Sequence, residues 1–379
     1  MRPILCKVDK KALYGYNKRK GVNMENKVII GLSGGVDSSA AALILKNLGY
    51  DVTGVTLKLF GNDGVFLNEE TACIKQKDID DAAEVCKTLG IKHEILDFNT
   101  DFRKNVADYF VSAYIAGQTP NPCVVCNRTV KFDRLFAEAE KNDAYIATGH
   151  YARMGFNEET GRYFIKKGLD KTKDQSYVLY GLPQKTLRRL LFPLGEYSKD
   201  EIRELAKKAG LDVAAKKDSQ DICFIPDGDY VSFIERYTGK KFMPGDFVLA
   251  DGTKIGRHRG IVSYTVGQRK GLGISSEKPY YVIKKDAEKN TVVLGREEEL
   301  YTKTFTVKNA NFLPFEFPEK PFEASVRTRY KQKEKKAVIY PQSDGKVTVE
   351  LSEPQKAVTP GQSAVFYDGD ILLGGGIIE

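Results

Sequence analysis

Residues 31–39 read Gly31-Leu32-Ser33-Gly34-Gly35-Val36-Asp37-Ser38-Ser39. The glycines let backbone approach an anion closely. A helix opening near Val36 would aim unbonded N–H groups and a partial positive charge at it. Ser33, Ser38 and Ser39 add hydroxyl donors, and Asp37 can hold a divalent cation that bridges phosphates. No Gly-Lys-Ser/Thr closes the loop, so it is not the usual mononucleotide loop, and γ-phosphoryl transfer is disfavoured. A Gly-rich turn with ordinary capping is the bland alternative, and this order of residues is too specific for it.

The second group is thiols. In Thr119-Pro120-Asn121-Pro122-Cys123-Val124-Val125-Cys126-Asn127, Pro120 and Pro122 stiffen an extended mount for an exposed thiol. Arg128 and Lys131 follow, and positive charge favours thiolate. Cys-x-x-Cys also serves as a zinc half-site or a redox pair. Zinc would want two more ligands, and the chain offers only His93, His150 and His258, with no second Cys-x-x-Cys. Cys223 ends the stretch Lys217-Asp218-Ser219-Gln220-Asp221-Ile222-Cys223. Alone it reads as core; beside Cys126 it is a candidate partner thiol. His150, at a strand end, is either a catalytic base or a hydrogen-bonded structural histidine.

Elements that could position these groups follow in order. KVIIGL reads as a strand before the loop, and SSAAALILKNLGY as a helix stopped at Gly49. DVTGVTLKLF, HEILDF and AYIATGHYA are further strands. Helices fit DIDDAAEVCKTLGI, which carries Cys86 on an apolar face, and residues 101–116. This alternation predicts a doubly wound parallel sheet with ligands at the carboxyl ends of its strands. EYSKDEIRELAKKAGL is a helix with Ser198 as N-cap and Glu201 completing a capping box. Beyond about Phe224, short β segments broken by Gly and Pro take over, and residues 302–379 read as a small barrel. The expected organisation is an extension or tag over residues 1–23, an ATP-binding catalytic domain over 24–224, a small mainly β domain over 225–301 and a β-barrel over 302–379.

The chain has 379 residues, a hydrophobic fraction of 41% and a charged fraction of 29%, which suits a globular protein and not a disordered one. No run of about 18 apolar residues is present for a membrane span. The basic N-terminus lacks the apolar core of a secretory signal. Six cysteines are too sparse for a disulfide scaffold and suggest a reducing, cytoplasmic setting. A net charge of +8 permits a polyanionic partner, and Tyr and Phe, 20 of each, offer stacking surfaces.

The loop at Ser33–Ser38 resembles the pyrophosphatase loop shared by GMP synthetase, NAD synthetase, argininosuccinate synthetase and tRNA thiolation enzymes. That resemblance implies ATP cleaved to AMP and pyrophosphate. With the two cysteine stretches, Ala147–Arg153, Lys173–Tyr177, Tyr264–Gly273 and Arg327–Tyr330, the chain from about Lys27 onward resembles the tRNA-specific 2-thiouridylases, the MnmA/TrmU family. The implied fold joins an adenine nucleotide α-hydrolase-like sheet, a small central domain and a tRNA-binding barrel. The implied reaction replaces the C2 oxygen of the wobble uridine by sulfur, with ATP and Mg.

Residue by residue, Gly31–Ser38, Leu57 and Gly149 would bind ATP. Cys126 would be the nucleophile that carries the persulfide sulfur, and Cys223 would attack it to leave a disulfide. Asn121, Pro122 and Cys123 would line the target base. Lys173, Asp174, Gln175, Arg329 and Tyr330 would touch tRNA, as would the basic run Arg327, Arg329, Lys331, Lys333, Lys335 and Lys336. The implied partners are tRNA with Lys, Glu and Gln acceptors, and a cysteine desulfurase or sulfur-relay protein; no membrane is implied. Many members carry Asp where this chain has Cys123, so the carboxylate's acid/base or orienting role is in doubt. Cys123, Cys126 and Cys223 could instead hold an iron–sulfur cluster with one open iron, so both sulfur routes stay open. Competing readings are a 4-thiouridine synthase, another adenylating enzyme, and a non-catalytic tRNA-binding or sulfur-carrier protein.

Overall fold

A computed structural model describes residues 26–59, 76–216 and 222–379. The expected extension over residues 1–23, Cys6, Cys73 and the stretch from Lys217 to Asp221 lie outside the described residues. Along the first part of the chain come strands β1 (Lys27–Gly31), β2 (Asp51–Lys58), β3 (Lys92–Asp97), β4 (Tyr145–Ala147), β5 (Ala152–Asn157), β6 (Arg162–Lys167) and β7 (Leu190–Leu191). The longer helices are α1 (Val36–Asn47), α2 (Gln76–Leu89), α3 (residues 99–115), α4 (residues 122–142) and α5 (Lys199–Lys208).

The expected doubly wound sheet is present. Its order is β3-β2-β1-β4-β7, and every pairing is parallel. Alternation along β1 shows why both faces are covered. Ile29 joins one core with Val106, Phe110, Val130 and Leu135 of α3 and α4. Val28 and Ile30 join the other with residues of α1, α2 and α5. Strand order reverses between β1 and β4, because β2 and β3 lie on one side of β1 and β4 on the other. That switch point opens the crevice in which such sheets bind ligands.

Packing behind this crevice is tight at Gly54 in the middle of β2. A Cβ there would lie 2.5 Å from Leu32 Cδ1 and 2.7 Å from Cys86 Sγ. Cys86 is buried, as expected from its helix face, and burial raises its pKa to about 11.

The remainder is mostly β. A four-stranded sheet, β10-β11-β8-β9, is built from β8 (Gly245–Val248), β9 (Lys254–His258), β10 (Tyr281–Asp286) and β11 (Thr291–Gly295). The sequence reading passed over helix α6 (Tyr230–Thr238), which precedes this sheet. Asp229 caps it by accepting from Ser232 N–H at 3.1 Å, and Phe233 packs on Phe110 and Phe224. The barrel runs through β12 (Tyr301–Phe312), β13 (Phe322–Arg327), β14 (Lys335–Pro341), β15 (Val347–Lys356), β16 (Ser363–Asp368) and β17 (Ile371–Ile378). It closes because β12 pairs with β15 along its first half and with β17 along its second.

The hairpin β5–β6, which sequence reading left unassigned, extends the barrel sheet. Leu372 of β17 faces Ile165 of β6. The barrel is therefore joined to the segment that leaves β4. Among the described residues no helix is long and apolar enough to cross a membrane.

One fold prediction follows from Gly54. In Gly54→Ala the added methyl meets the buried side-chain ends of Leu32 and Cys86, which must shift within a packed core, so the expected loss is about 1–3 kcal/mol. Thermal unfolding checks this; an unchanged midpoint contradicts the packing described.

Candidate functional site

At the carboxyl ends of β1 and β4 lies a cavity of about 230 Å³, walled by Gly31, Leu32, Ser33, Asp37, Ser38, Leu57, Leu59, Lys131, Leu135, Thr148, Gly149, His150 and Gln175. The loop after β1 is shaped by close backbone approaches. Gly34 has φ +66°, and a Cβ there would lie 2.2 Å from the Asp78 carbonyl oxygen of α2. Lys216 Nζ donates to the Gly34 carbonyl at 2.9 Å and to Asp78 Oδ1 at 2.6 Å. At Gly149 a Cβ would lie 2.7 Å from Ser38 N, so the chain leaving β4 touches the first turn of α1.

Gly35 stands at the N-cap of α1 with no side-chain cap. Such a start leaves N–H groups for an outside acceptor, which suits a phosphate. Ser38 Oγ accepts from Ser33 N–H at 3.2 Å and donates to the Gly35 carbonyl at 3.1 Å, which holds the loop in shape. Gly34, Gly35 and Val36 form the loop's frame; the other expected ATP residues, Gly31, Leu32, Ser33, Asp37, Ser38, Leu57 and Gly149, line the cavity itself.

Both oxygens of Asp37 already have partners, although the side chain stays partly open to water. Lys199 Nζ donates to both of its oxygens at 2.8 Å, and Tyr151 Oη donates to Oδ1 at 2.7 Å. The expectation of Asp37 as a cation ligand meets a carboxylate whose two oxygens are already engaged. Lys199 is only 6% exposed and sits at the first position of α5, inside the capping box that Ser198 and Glu201 form. Sequence reading missed Lys199. A signal existed: a lysine in the first turn opposes the helix dipole, which favours acids there.

The thiols sit on the neighbouring wall. Pro122 opens α4, which places Cys123 and Cys126 one turn apart, and a π-helical stretch, Asn127–Lys131, follows at once. Such stretches re-aim side chains and recur at functional sites. Lys131, at its end, lines the cavity. Cys126 is buried, while solvent reaches Cys123. Desolvation raises Cys126 to about 12; Lys131 opposes this, while Cys223 and Cys123 add to it. Crowding by protein likewise raises Cys123 to about 11, helped by Cys223 and opposed by Lys131. The structure therefore brings Cys123, Cys126 and Cys223 within electrostatic reach of one another.

It also corrects the expectation of a resting thiolate. Lys131 does pull in that direction, but burial is the larger effect. The exposed Arg128 packs instead over Gly181. Among the described residues, no three His, Cys, Asp or Glu side chains stand grouped as a metal ion would need.

His150 has the hydrogen bond expected of the structural alternative, and it also lines the cavity. Its Nδ1 is hydrogen-bonded to Thr148 Oγ1 at 2.8 Å, and its ring packs between Phe132 and Phe192. Burial, with Lys131 nearby, lowers its pKa to about 3, so it is neutral and a weak base at neutral pH.

The residues expected at tRNA divide. Asn121 is the N-cap of α4 beside Cys123. Asp174 is buried: its Oδ1 accepts from Gly168 N–H and Ser176 N–H, both at 3.1 Å, and its Oδ2 accepts from Ser176 Oγ. An interior carboxylate thus replaces the expected surface contact. Gln175 lines the ATP-type cavity and its Oε1 accepts from Tyr151 N–H at 2.9 Å. Lys173 is half-buried in the preceding turn. Arg329 donates to the Val266 carbonyl at 3.0 Å and to Thr359, which ties the barrel to the central domain. Tyr330 Oη donates to the Asp174 carbonyl at 3.0 Å; burial first, then Asp174 and Cys123 among other charges, raises its pKa. Tyr330 thus stands near the thiols.

The basic run also splits. Arg327 points inward, bonded to Glu334 at 2.6 Å, and Glu334 also pairs with Lys167 at 2.8 Å. Lys331, Lys333 and Lys336 are exposed.

Comparison with known proteins agrees with this arrangement. Residues 26–227 match the family model described as the tRNA methyl transferase HUP domain, 231–296 its PRC-barrel domain and 302–378 the aminomethyltransferase beta-barrel domain. A tRNA-specific 2-thiouridylase MnmA 2 of Caldanaerobacter subterraneus is 49% identical over 93% of this chain and 98% of its own. The MnmA of Clostridium acetobutylicum is 48% identical over 94% of this chain and 100% of its own. Among solved structures, the U34-tRNA thiolase NcsA of Methanococcus maripaludis, with its [4Fe-4S] cluster, is 19% identical at a TM-score of 0.34, over 61% of this chain and 76% of that one.

Two predictions come from this geometry. Breaking a buried ion pair costs about 3–5 kcal/mol, and with Asp37 partly open to water the expected loss in Lys199→Met is nearer about 1–3. Calorimetry should also show weaker ATP binding, partly restored in Lys199→Arg; unaltered stability and affinity contradict the role described. Because the protein crowded around Cys123 raises its thiol to about 11 although solvent reaches it, its alkylation by iodoacetamide should rise about tenfold per pH unit from pH 7 to 9. A plateau near pH 8 contradicts this.

Proposed function

This chain belongs to the tRNA-specific 2-thiouridylases, and from that premise we propose that it replaces the C2 oxygen of a tRNA wobble uridine by sulfur, driven by cleavage of ATP to AMP and pyrophosphate. One observation carries the reading. Lys131 lines the ATP-type cavity and acts electrostatically on both Cys123 and Cys126. Nucleotide activation and sulfur delivery therefore share one cleft. The matched family model has methyl transfer in its description, but a group of thiols beside an adenylating loop finds its use in sulfur transfer.

The chemistry needs both halves. A uracil C2 oxygen is a poor leaving group. Its attack on the α-phosphorus of ATP releases pyrophosphate, held at the uncapped start of α1, and leaves AMP on the oxygen. The terminal sulfur of a Cys126 persulfide then attacks C2, and AMP departs with the oxygen. Cys223 thiolate attacks Cys126 Sγ; the bond from that atom to the transferred sulfur breaks, and its electron pair stays with the sulfur on the base. A Cys126–Cys223 disulfide remains, which a thiol reductant reopens. Raised thiol pKa values keep resting Cys126 and Cys223's neighbour Cys123 protonated, whereas a persulfide ionises more readily than a thiol.

Cofactors are constrained by the same geometry. Magnesium would come with the ATP phosphates, which supply oxygen ligands and need no open Asp37. Among the described residues no three His, Cys, Asp or Glu side chains are grouped to hold a metal ion, and the persulfide route needs only the thiols. Cys123, at the first turn of α4, faces the target base where many relatives carry Asp.

tRNA is the proposed macromolecular substrate, with Lys, Glu and Gln acceptors and a cysteine desulfurase or relay protein as sulfur donor. The wobble base must leave its stack, at a cost of a few kcal/mol. Exposed Lys331, Lys333 and Lys336 would contact phosphates, which makes binding salt-sensitive.

Incubation of unmodified tRNA with ATP, a sulfur donor and a thiol reductant tests the proposal. Nucleoside analysis should find 2-thiouridine, with Cys126→Ala and Cys223→Ala inactive and Cys123→Ala still active. Formation of 4-thiouridine, or tRNA binding with no thiolation, would overturn it.

A further inference from the structure

Immediately before the thiol helix runs the stretch from Gln118 to Pro120, and two distant parts of the fold hold its backbone. From the barrel side, Thr119 N–H donates to the Pro360 carbonyl at 2.9 Å. Gln362 Nε2 donates to the Thr119 carbonyl at 2.8 Å and lies 3.5 Å from that of Pro120. From the central sheet, Lys285 Nζ donates to the Tyr264 carbonyl at 2.8 Å and to that of Gln118 at 3.4 Å. Both approaches have glycine at the contact, required by crowding at Gly361 and favoured by the left-handed backbone at Gly117. At Gly361, φ +89°, a Cβ would lie 2.9 Å from Thr119 N. At Gly117, φ +76°, a Cβ would lie 3.4 Å from Lys285 Cβ.

These contacts are built into the interior. Lys285 is only 9% exposed and its ammonium lies 5.6 Å from the Tyr114 ring centre. Burial lowers its pKa to about 8, as expected for a cation whose water has been replaced by a few carbonyls. The strand that follows Gln362 holds the segment after Gln175 as well: Ser363 accepts from Tyr177 Oη at its carbonyl, 2.8 Å, and its Oγ is hydrogen-bonded to Tyr180 Oη at 3.0 Å.

We propose that Gln362 and Lys285 are positioning residues for sulfur transfer: through them the barrel and the central sheet fix where the thiol helix begins. Pro120 and Pro122 stiffen the chain between the clamp and Cys123, so a displacement at Thr119 is passed on to the first turn of α4. The nucleotide loop is anchored separately, by Lys199 and Lys216. The barrel therefore acts on the thiols in addition to any contact with tRNA. This inference rests on the sulfur-transfer reading above and deepens it.

Gln362→Glu keeps the shape but sets a carboxylate against two carbonyl oxygens. Gln362→Met keeps the length and removes the donor, and Lys285→Met removes the buried charge. A misplacement of about 1 Å at a reacting group can cost on the order of 100-fold. The expected result is a fall in thiolation kcat of about 10–100-fold, with KM for ATP and tRNA within about twofold. AMP should form in excess over 2-thiouridine, a loss of coupling that general destabilisation does not produce.

Alkylation of Cys123, mapped by peptide mass in the intact protein at fixed pH, should speed up by about threefold or more as the helix start loosens. If the wild type makes no 2-thiouridine, the sulfur-transfer reading fails, and the alkylation rates still judge the clamp. Wild-type alkylation in all three variants, or a loss seen only as a raised KM for tRNA, overturns the inference. If Gln362→Glu does not fold, the two methionine variants decide by the same measures.

Discussion

The start of helix α1 carries no side-chain cap, and most of the site is organised around leaving it open. Gly35 at the N-cap offers the first turn's N–H groups outward. Gly34 can turn there only because it has no Cβ to meet the Asp78 carbonyl, and Gly149 can pass only because it has none to meet Ser38 N. These two approaches bring β1, α1, α2 and the end of β4 to one point. The cavity is the space they leave at the switch point of the sheet. A helix start with unmet donors is costly unless an anion or water meets them, so the architecture is that of a receptor for phosphate.

Electrostatics divides the cleft into two regimes. At the loop, charge is compensated: Asp37 is paired with buried Lys199 and bonded to Tyr151. At the thiols, charge is suppressed: desolvation outweighs Lys131, and His150 is held neutral. A site of this kind does not favour a free thiolate at rest. It suits a sulfur species that ionises more readily, which the proposed persulfide does. The cleft is closed by parts remote in sequence, since Tyr330 of the barrel reaches the Asp174 carbonyl near Cys123.

Much of this was legible in the chain. The loop, the alternation of strand and helix, the capping box at Ser198 and the β-rich C-terminal half all depend on local pattern, and each appears where its pattern lies. What escaped depends on burial and on pairing across long separations. The thiolate expectation counted Arg128 and Lys131 as neighbours in sequence; it had no access to desolvation. The run from Arg327 to Lys336 reads as one basic surface, yet Arg327 turns inward to pair with Glu334, which Lys167 of β6 also engages, and to approach Asp174. Asp174 reads as polar surface and is instead the acceptor that closes a buried turn. Gln362 carries no local motif and Lys199 only its odd place in a first turn, and each acts on a residue more than a hundred positions away.

The central claim is that the proposed reaction makes the C2 oxygen of uridine a leaving group by placing AMP on it. The most direct test labels that oxygen with oxygen-18 in the wobble uridine of an otherwise unmodified tRNA and follows the label through one turnover. The account predicts the label in the phosphate of AMP, one atom for each 2-thiouridine formed. Label recovered in water or in pyrophosphate, with AMP unlabelled, would contradict it.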